Sequence, residues 1–241
     1  MIKWAKSGAS AAAELEKHEK EQAIKAAQNR KLWRFWVAEG TEGKITFIDG
    51  NLTADNTLDF WLYYEHNLML NGEWGNTFVC TKEVEPCPIC AAGDSPSLVG
   101  AFTVIDHSEY KSKKGDIHKD TQKLFVAKQG TLRQLQIIAV KRGGLAGCTF
   151  DVMRTGDKSP SVGNMFDFVE KQDIDVLKKK YTKVDPETKK TVTIFVPANY
   201  EKECAFLSAA ELRETIPSLA AVAVPTGNVT SAQKAALEDN L

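Results

Sequence analysis

The stretch QKLFVAKQGTLRQLQIIAVKRGGLAGCTFDVMRT, residues 122–155, decides the fold class because its pattern changes from strand to helix and back to strand. Its two ends are rich in aromatic and β-branched residues, which favour β-strands. Between them the spacing predicts a helix over 130–144 that two consecutive glycines end. The apolar positions of this helix are Leu132, Leu135, Ile138 and Ala139.

Similar strand-like segments fill the chain on both sides of this stretch. They carry aromatic and β-branched residues, are bounded by turn residues, and do not alternate regularly with helices, so a parallel doubly wound sheet is not expected. Many short strands with one embedded helix predict a mainly β, α+β chain built on a small Greek-key barrel, the oligonucleotide-binding barrel (OB-fold). The predicted strands are 32–37, 44–49, 58–68, 76–81, 101–107, 122–128, 148–155, 165–171 and 191–197.

The two ends of the chain differ from this strand-rich region. Residues 1–31 are Ala-rich with Glu-to-Lys pairs four apart, which predicts a solvated helical arm; the alternative is an arm that packs on a neighbouring subunit. Residues 32–216 form the predicted barrel, with further helices expected over 173–181 and 208–217. Residues 217–241 are small and mildly acidic, which predicts a flexible tail.

Composition fits a soluble protein with a real core, since 43% of the 241 residues are hydrophobic and the net charge is -1. The charge is unevenly distributed: basic residues exceed acidic ones by five over 105–144, and acidic residues exceed basic ones by three over 201–241. The basic middle suits a polyanion. No apolar run approaches a membrane span, and an odd number of cysteines, three of them in one stretch, favours a reducing, cytoplasmic setting.

The stretch VCTKEVEPCPIC contains three of the five cysteines. Cys87 and Cys90 form a Cys-x2-Cys knuckle that can hold one tetrahedral ion, and Cys80 ends a predicted strand just upstream. His66 is the predicted fourth ligand because its strand precedes the hairpin that delivers Cys80, and His107 is the second choice. Four protein ligands predict a structural zinc site; the alternative is reduced cysteines without a shared purpose. The other two are predicted core thiols: Cys148 and Cys204.

Aromatic and basic side chains in the barrel predict a nucleic-acid surface, because single-strand binding uses a basic groove and aromatic stacking faces. Strand alternation puts Trp61 and Tyr63 on an outward face and Leu62 on the core face. Trp36 lies on the face opposite Trp33. The predicted contacts are Arg34, Trp36, Trp61, Tyr63, Trp74, Tyr110, Lys111, Lys113, Lys114, Lys123, Lys128 and Arg154.

Two other functions are open at this point. If the aromatic residues are covered by protein, the chain is a zinc-stabilised interaction module of a replication or transcription complex. Whether Trp61, Tyr63 and Trp74 line an open groove separates this module from a DNA-binding protein. A metal-dependent nuclease needs clustered carboxylates, and no enzyme is predicted because these are scattered and form no motif. The acidic residues near turns are Asp49, Asp106, Asp116 and Asp120.

The metal-ligand order resembles that of a helix-destabilising type of single-stranded DNA-binding protein from tailed bacteriophages, in which a zinc subdomain is grafted onto an OB-fold. The family's order is His, Cys, Cys-x2-Cys, and the candidate ligands here follow it with similar spacings. The resemblance covers roughly residues 30–171. It includes the stretches RFWVAEGTEGKITFIDG, YYEHN, CPICAAGDSPSLVG, IDHSEYKSKKGDIHKD, LFVAKQGTLRQLQ and KRGGLAG.

This resemblance implies sequence-independent coating and protection of single-stranded DNA during phage replication, recombination and repair, in the cytoplasm of an infected bacterium. It implies a structural zinc ion in a subdomain at about residues 64–95 and no membrane association. Phage replication proteins are implied partners through the tail, and self-association is expected through the arm. The chain departs from the family at both ends, and only LEDNL stands where the family has a long acidic tail.

Overall fold

The fold is mixed α+β and consists mostly of an antiparallel sheet with a few helices, which confirms the predicted class. It is known from a computed structural model that describes Gly8, Ala11, Leu15 and residues 32–70, 72–111, 115, 117–184 and 191–219. Apart from these few positions, the predicted arm over 1–31 and most of the tail over 217–241 lie outside the described residues. Within the described ranges no helix has the length and apolar character to cross a membrane.

The strands of the described part are β1 (Glu42–Phe47), β2 (Trp61–Leu70), β3 (Glu73–Val79), β4 (Ser97–Asp106), β5 (Tyr110–Lys111), β6 (Ile117–His118), β7 (Thr121–Lys128), β8 (Cys148–Met153), β9 (Met165–Lys171), β10 (Thr182–Val184) and β11 (Thr191–Thr193). The main sheet has the order β3-β2-β4-β1-β8-β9, and β7 also pairs with β4. Two small hairpins, β5-β6 and β10-β11, stand apart from it. Among the described residues the main sheet is not closed into a barrel.

The described helices are α1 (Pro88–Ala91), α2 (Gln129–Arg142), α3 (Ile174–Lys180), α4 (Tyr200–Glu203) and α5 (Ala209–Thr215), with single 3-10 turns at Thr81–Glu83 and Pro217–Leu219. Sequence signals set their ends. Helix α2 ends at Gly143, which takes the left-handed conformation with φ 66°. Asp173 caps α3, and Ser208 and Glu211 form a reciprocal capping box at α5.

The core lies between the inner face of the sheet and helix α2. Phe47 is at its centre and contacts three other fully buried rings at centroid distances of 5.7, 5.3 and 5.8 Å: Phe102, Phe125 and Phe150. From α2, Leu132, Leu135 and Ala139 close the core, as the helical spacing predicts. Apolar burial of this kind is the main stabilising term of a domain of this size.

Strand β4 determines where the rest of the sheet goes. Along one edge it pairs with β7 over residues 99–106, and along the other it pairs first with β2 over 97–101 and then with β1 over 104–106. Because β4 changes partner, the β2-β3 hairpin extends away from the core. Leu62, predicted to face the core, is 53% exposed for this reason.

The predicted strand at 32–37 is an extended segment with a single bridge, to Leu124 of β7. The N–H of Phe35 donates to the Leu124 carbonyl over 2.8 Å, and the N–H of Val37 donates to the Ser161 carbonyl over 2.8 Å. The segment therefore connects β7 to the loop before β9, on the open side of the sheet. Phe35 and Val37 are buried in the core, as alternation predicts.

Candidate metal centre and nucleic-acid interface

The structure brings the four predicted ligands, His66, Cys80, Cys87 and Cys90, into one cluster whose ligand atoms all lie within 4.8 Å of one another. On the β2-β3 hairpin His66 pairs with Phe78, so Cys80 follows just beyond the end of β3. Within the described ranges, this is the one group of three or more His, Cys, Asp or Glu side chains that could hold a metal ion.

Local sequence builds the Cys-x2-Cys knuckle. Cys87 is the N-cap residue of α1, and Pro88 occupies the start of the helix, where its missing N–H removes no helical hydrogen bond. The short helix carries Cys90 back toward Cys87, and both sulfurs approach the His66 ring. The knuckle is therefore specified by four consecutive residues.

The distances within the cluster fit a tetrahedral ion. The sulfurs of Cys80 and Cys90 are 3.6 Å apart, and Nε2 of His66 lies 3.5 Å from the Cys87 sulfur and 3.6 Å from the Cys90 sulfur. Bonds of about 2.3 Å to sulfur and about 2.0 Å to nitrogen would place two sulfurs about 3.8 Å apart, and a sulfur and nitrogen about 3.5 Å apart. These three pairs of ligand atoms already have the spacing that such an ion requires, and all four ligand atoms lie within 4.8 Å of one another.

The ionisation of the thiols also fits a cation at the centre. Burial opposes ionisation of Cys87, but the backbone N–H groups of Cys90 and Thr81 outweigh it and lower the pKa of the Cys87 thiol to about 6. Burial and the neighbouring sulfurs raise the pKa of Cys90 to about 12, and burial raises the pKa of Cys80. Ionisation of one thiol therefore opposes ionisation of the other two, and a bound cation offsets this repulsion.

Asp94 orients the histidine, and the sequence did not predict it. The His66 side chain is fully buried, and its Nδ1–H donates to Asp94 Oδ2 over 2.5 Å. This hydrogen bond leaves the Nε2 lone pair for the metal, as in carboxylate–histidine–metal arrangements. Gly93, at φ 95°, turns the chain after α1 and returns Asp94 toward the ring. The sequence feature that could have indicated this role is a carboxylate four residues after Cys90.

Helix α5 covers the metal cluster, although it lies far along the chain. Leu212, Ile216 and Leu219 pack with Cys80 and the knuckle in one buried apolar cluster. At the start of α5, the N–H of Ala209 donates to the Glu85 carboxylate over 2.6 Å. The metal subdomain, predicted at about residues 64–95, therefore also includes a C-terminal part.

Several predicted nucleic-acid contacts surround two adjoining cavities on the outer side of the sheet. One, here called the Tyr63 cavity, measures about 450 Å³ and includes Trp33 and Leu124 in its wall. The other, the basic cavity, measures about 460 Å³ and lies against the outward side of β4 and β7. Arg34 and Glu65 line both cavities and separate them.

Arg34 is held by Glu65 in a two-pronged ion pair. Nη1 and Nη2 of Arg34 donate to the two carboxylate oxygens of Glu65 over 2.9 and 2.6 Å. Burial by itself lowers the pKa of Arg34, but the hydrogen bonds and charge of Glu65 raise it overall. The Tyr63 hydroxyl also donates to Glu65, over 3.4 Å. Arg34 is thus a fixed and largely neutralised part of the wall.

The basic cavity collects cations from separate parts of the chain. Lys128 comes from the end of β7, and Arg154 and Lys158 come from the loop between β8 and β9. The single acidic residue in the described wall is Glu65, which Arg34 already pairs. The Nε of Arg154 is buried and has no hydrogen-bond partner among the described residues. Lys158 was not predicted from the sequence.

The predicted aromatic contacts differ in their surroundings. Trp36 is 63% exposed and, by alternation along the extended segment, shares a side with Arg34 at the basic cavity. Trp61 is 49% exposed and leans against Tyr200 at a centroid distance of 5.7 Å. Tyr63 is half-buried and lines an open cavity. Trp74 lies on β3, but its side chain is outside the described part.

Another predicted group lies on and beside the β5-β6 hairpin. Tyr110 stacks on His118 with centroids 4.9 Å apart, and Lys111 is exposed. Lys123 is largely buried and its Nζ lies 2.6 Å from the Asp106 carboxylate, so its charge is already paired. The structure does not describe two further predicted lysines of the hairpin: Lys113 and Lys114.

By alternation Trp33 is expected on the same face as Phe35 and Val37, opposite Trp36, but the structure separates it from these two neighbours. Its side chain is 67% exposed, whereas Phe35 and Val37 are buried. The pairing with β7 that enforces alternation begins only at the bridge to Leu124, so Trp33 is free to point outward. Its ring lies 5.9 Å from that of Tyr110.

His107, the second choice for the metal, lies apart from the cysteines. Its Nδ1–H donates to Asp120 over 2.5 Å, and its Nε2 accepts from the Thr46 hydroxyl over 2.8 Å. The acidic residues weighed for a nuclease site are also engaged, since Asp49 accepts from Tyr200 and Thr103. One of them lies outside the described residues: Asp116.

No protein-family model matches the chain, and no curated protein matches it either. The function is therefore inferred from the metal cluster and the two cavities, together with the resemblance of the motifs.

Proposed function

We propose that this chain binds single-stranded DNA without sequence preference and coats exposed strands during replication, recombination and repair. The observation that carries the proposal is the basic cavity, where Lys128, Arg154 and Lys158 meet. Trp36 is exposed and, by alternation, lies on the same side of the extended segment as Arg34, which lines this cavity. Phosphates need the cations, and every base offers a face that stacks on an aromatic ring. A phage origin and a place in the cytoplasm of an infected bacterium belong to the same proposal.

The finer fold proposed is an OB-type barrel formed by β1, β4, β7, β8 and β9. Its support is the pairing β7-β4-β1-β8-β9 and the position of α2 between β7 and β8. The extended segment at 32–37 bonds to β7 and to the loop before β9, across the remaining gap. OB-folds bind oligonucleotides on the second and third strands, between the loops that follow the first and fourth. The basic cavity supports this proposal, since it lies against β4 and β7 and beside the loop between β8 and β9.

The proposed ion is zinc, in a purely structural role. Thiolates and imidazole in a tetrahedral set of four favour zinc and leave no position for water or substrate. Neighbouring residues on β2 serve the two sites, since His66 faces the metal and Glu65 faces the cavities. Zinc binding would therefore hold in place the strand that supplies part of the cavity wall.

Binding of this kind acts by mass action. A protein that binds the single strand and not the duplex shifts the melting equilibrium toward separated strands, in proportion to the free protein concentration. Such a mechanism needs no bond-making residues, in agreement with the proposal that the chain is not an enzyme.

The salt dependence of oligo-dT binding tests this proposal. Each cation that meets a phosphate of a single strand contributes about 0.7 to the slope of log K against log salt concentration. Lys128→Ala and Arg154→Ala should each reduce affinity and flatten this slope by about one such increment. The matched control is Lys141→Ala, an exposed lysine of α2 that lines neither cavity. Tryptophan fluorescence reports the binding.

Two different results would contradict the proposal, one for single-strand binding itself and one for the basic cavity. If the wild-type protein fails to bind oligo-dT at low salt, single-strand binding is wrong and the interaction module becomes the better description. If the wild-type protein binds but Lys141→Ala flattens the slope as much as Lys128→Ala, the basic cavity is not where the phosphates lie.

A further inference from the structure

Three aromatic rings form a row at the far side of the Tyr63 cavity from the basic cavity. Trp33 comes from the extended segment, Tyr110 from β5 and His118 from β6. Tyr110 and His118 stack with an interplanar angle of 16°, and the Trp33 ring lies 5.9 Å from Tyr110. The Trp33 ring is tilted by 42° from that of Tyr110, so the row consists of one stacked pair and one tilted neighbour from three parts of the chain.

The row has an open end. Trp33 is 67% exposed, so the indole has Tyr110 on one side and solvent over most of its remaining surface. An indole in the core of a domain would bury that area, whereas this one leaves a large π-face without a partner among the described residues. A planar ring that stacks on Trp33 would extend an arrangement that the protein has already begun.

The row is continuous with the proposed DNA path. Trp33 also lines the Tyr63 cavity, which adjoins the basic cavity at the Arg34–Glu65 pair. The acidic residues of the Tyr63 cavity are engaged, because Glu65 pairs with Arg34 and Glu203 accepts the N–H of Leu32 over 2.7 Å. A strand that leaves the basic cavity for Trp33 therefore passes Glu65, whose charge Arg34 pairs, and Glu203, which is hydrogen-bonded to the backbone.

We propose that Trp33, Tyr110 and His118 form a second base-stacking subsite, which extends the single-strand path beyond the basic cavity. This inference rests on the proposed function, since it concerns the same strand. The subsite takes a nucleobase by its face, so it accepts any of the four bases. Its contribution is largely independent of salt because stacking removes no phosphate counterions.

A length series of dT oligonucleotides tests the subsite in the full chain. Stacking of one base changes affinity by about 5-fold to about 150-fold. Trp33→Ala should lose this factor only for oligonucleotides long enough to reach the row, and its affinity should stop rising at a shorter length than that of the wild type. The slope of log K against log salt should stay at the wild-type value.

Two further variants separate stacking from folding. Tyr110→Phe keeps the ring and should behave as the wild type, whereas Tyr110→Ala should resemble Trp33→Ala. Val84→Ala, at a residue that is 76% exposed and lines neither cavity, is the surface control. Thermal unfolding of each variant shows whether the fold is retained, and Trp33→Phe provides a milder change at the same position.

Each outcome decides the proposal. It is overturned if Trp33→Ala keeps the wild-type length dependence, or if the loss is equal for the shortest oligonucleotide that binds and for long ones. It is also overturned if Tyr110→Phe loses as much as Tyr110→Ala. In either of these cases, if Lys128→Ala still flattens the slope of log K against log salt, only the subsite is wrong and the basic cavity remains supported. If the wild type binds no oligonucleotide, both are wrong.

Discussion

Replacing Asp94 by alanine should weaken metal binding without removing any ligand. The hydrogen bond from Nδ1–H of His66 to Asp94 spans 2.5 Å and directs the Nε2 lone pair at sulfurs 3.5 and 3.6 Å away. Loss of such an orienting carboxylate typically lowers metal affinity by about 10-fold to 100-fold. At a fixed free zinc concentration above the dissociation constant, this loss lowers the free energy of unfolding by about 1.4–2.7 kcal/mol.

Competition with a chromogenic chelator measures the affinity, and denaturant unfolding at buffered free zinc measures the stability. Asp94→Asn should lose less than Asp94→Ala, because its amide oxygen still accepts from Nδ1–H and preserves the tautomer. The chain offers a matched control in Asp120→Asn. That residue accepts from His107 over the same 2.5 Å, in a pair that lies apart from the cysteines.

Two results would refute this reasoning. If Asp94→Ala binds zinc as tightly as the wild type, the carboxylate does not orient His66. If Asp120→Asn weakens zinc binding as much as Asp94→Ala does, His107 contributes to the site and the ligand set is wrong. The comparison is informative because both substitutions remove a carboxylate that accepts from a histidine Nδ1–H over 2.5 Å.

Two further predictions concern the packing of the core and the buried carboxyl of Asp49. A Cβ at Gly100 would lie 2.6 Å from Leu132 and 2.7 Å from Phe60, so Gly100→Ala should lower the free energy of unfolding in urea by about 1–3 kcal/mol. Gly130→Ala is the control and should not destabilise, because no atom lies within 4 Å of its added Cβ. Equal stability of the two variants would contradict the packing. Burial raises the pKa of Asp49 to about 6, so between about pH 4 and pH 6 the native state keeps a proton that the unfolded state has lost. The free energy of unfolding should therefore fall by about 3 kcal/mol as the pH rises through that range. Asp49→Asn should remove this decline, and an unchanged pH profile in the variant would contradict the assignment.

Features encoded by a few neighbouring residues could be predicted from the sequence. The knuckle depends on Cys87 and Cys90 alone, and the end of α2 depends on the glycine that follows it. His66 was predictable because a hairpin brings its two strands together in a register that the turn fixes. In each case the partner lies within about one hairpin of the residue concerned, so local geometry decides the outcome.

Features that depend on distant chain segments could not be predicted. Glu65 and Arg34 are 31 residues apart, and Ala209 and Glu85 are 124 apart, so no sequence spacing indicates either contact. The strand pairing of the described residues does not establish the predicted closed OB barrel. The exposure of Leu62 depends on where β4 exchanges one partner strand for another, which is a property of the whole sheet.

Strand β2 links the candidate metal site to the proposed DNA-binding surface. Successive side chains of a strand point to opposite faces, so His66 and Glu65 face different sites although they are adjacent. The ion would fix His66, and β2 would then hold Glu65 where it pairs with Arg34 between the two cavities. The β2-β3 hairpin contacts the main core only weakly, because it extends past β4. A structural ion at the base of this hairpin, where His66 pairs with Phe78, would provide the rigidity that the hairpin cannot obtain from apolar burial in the main core.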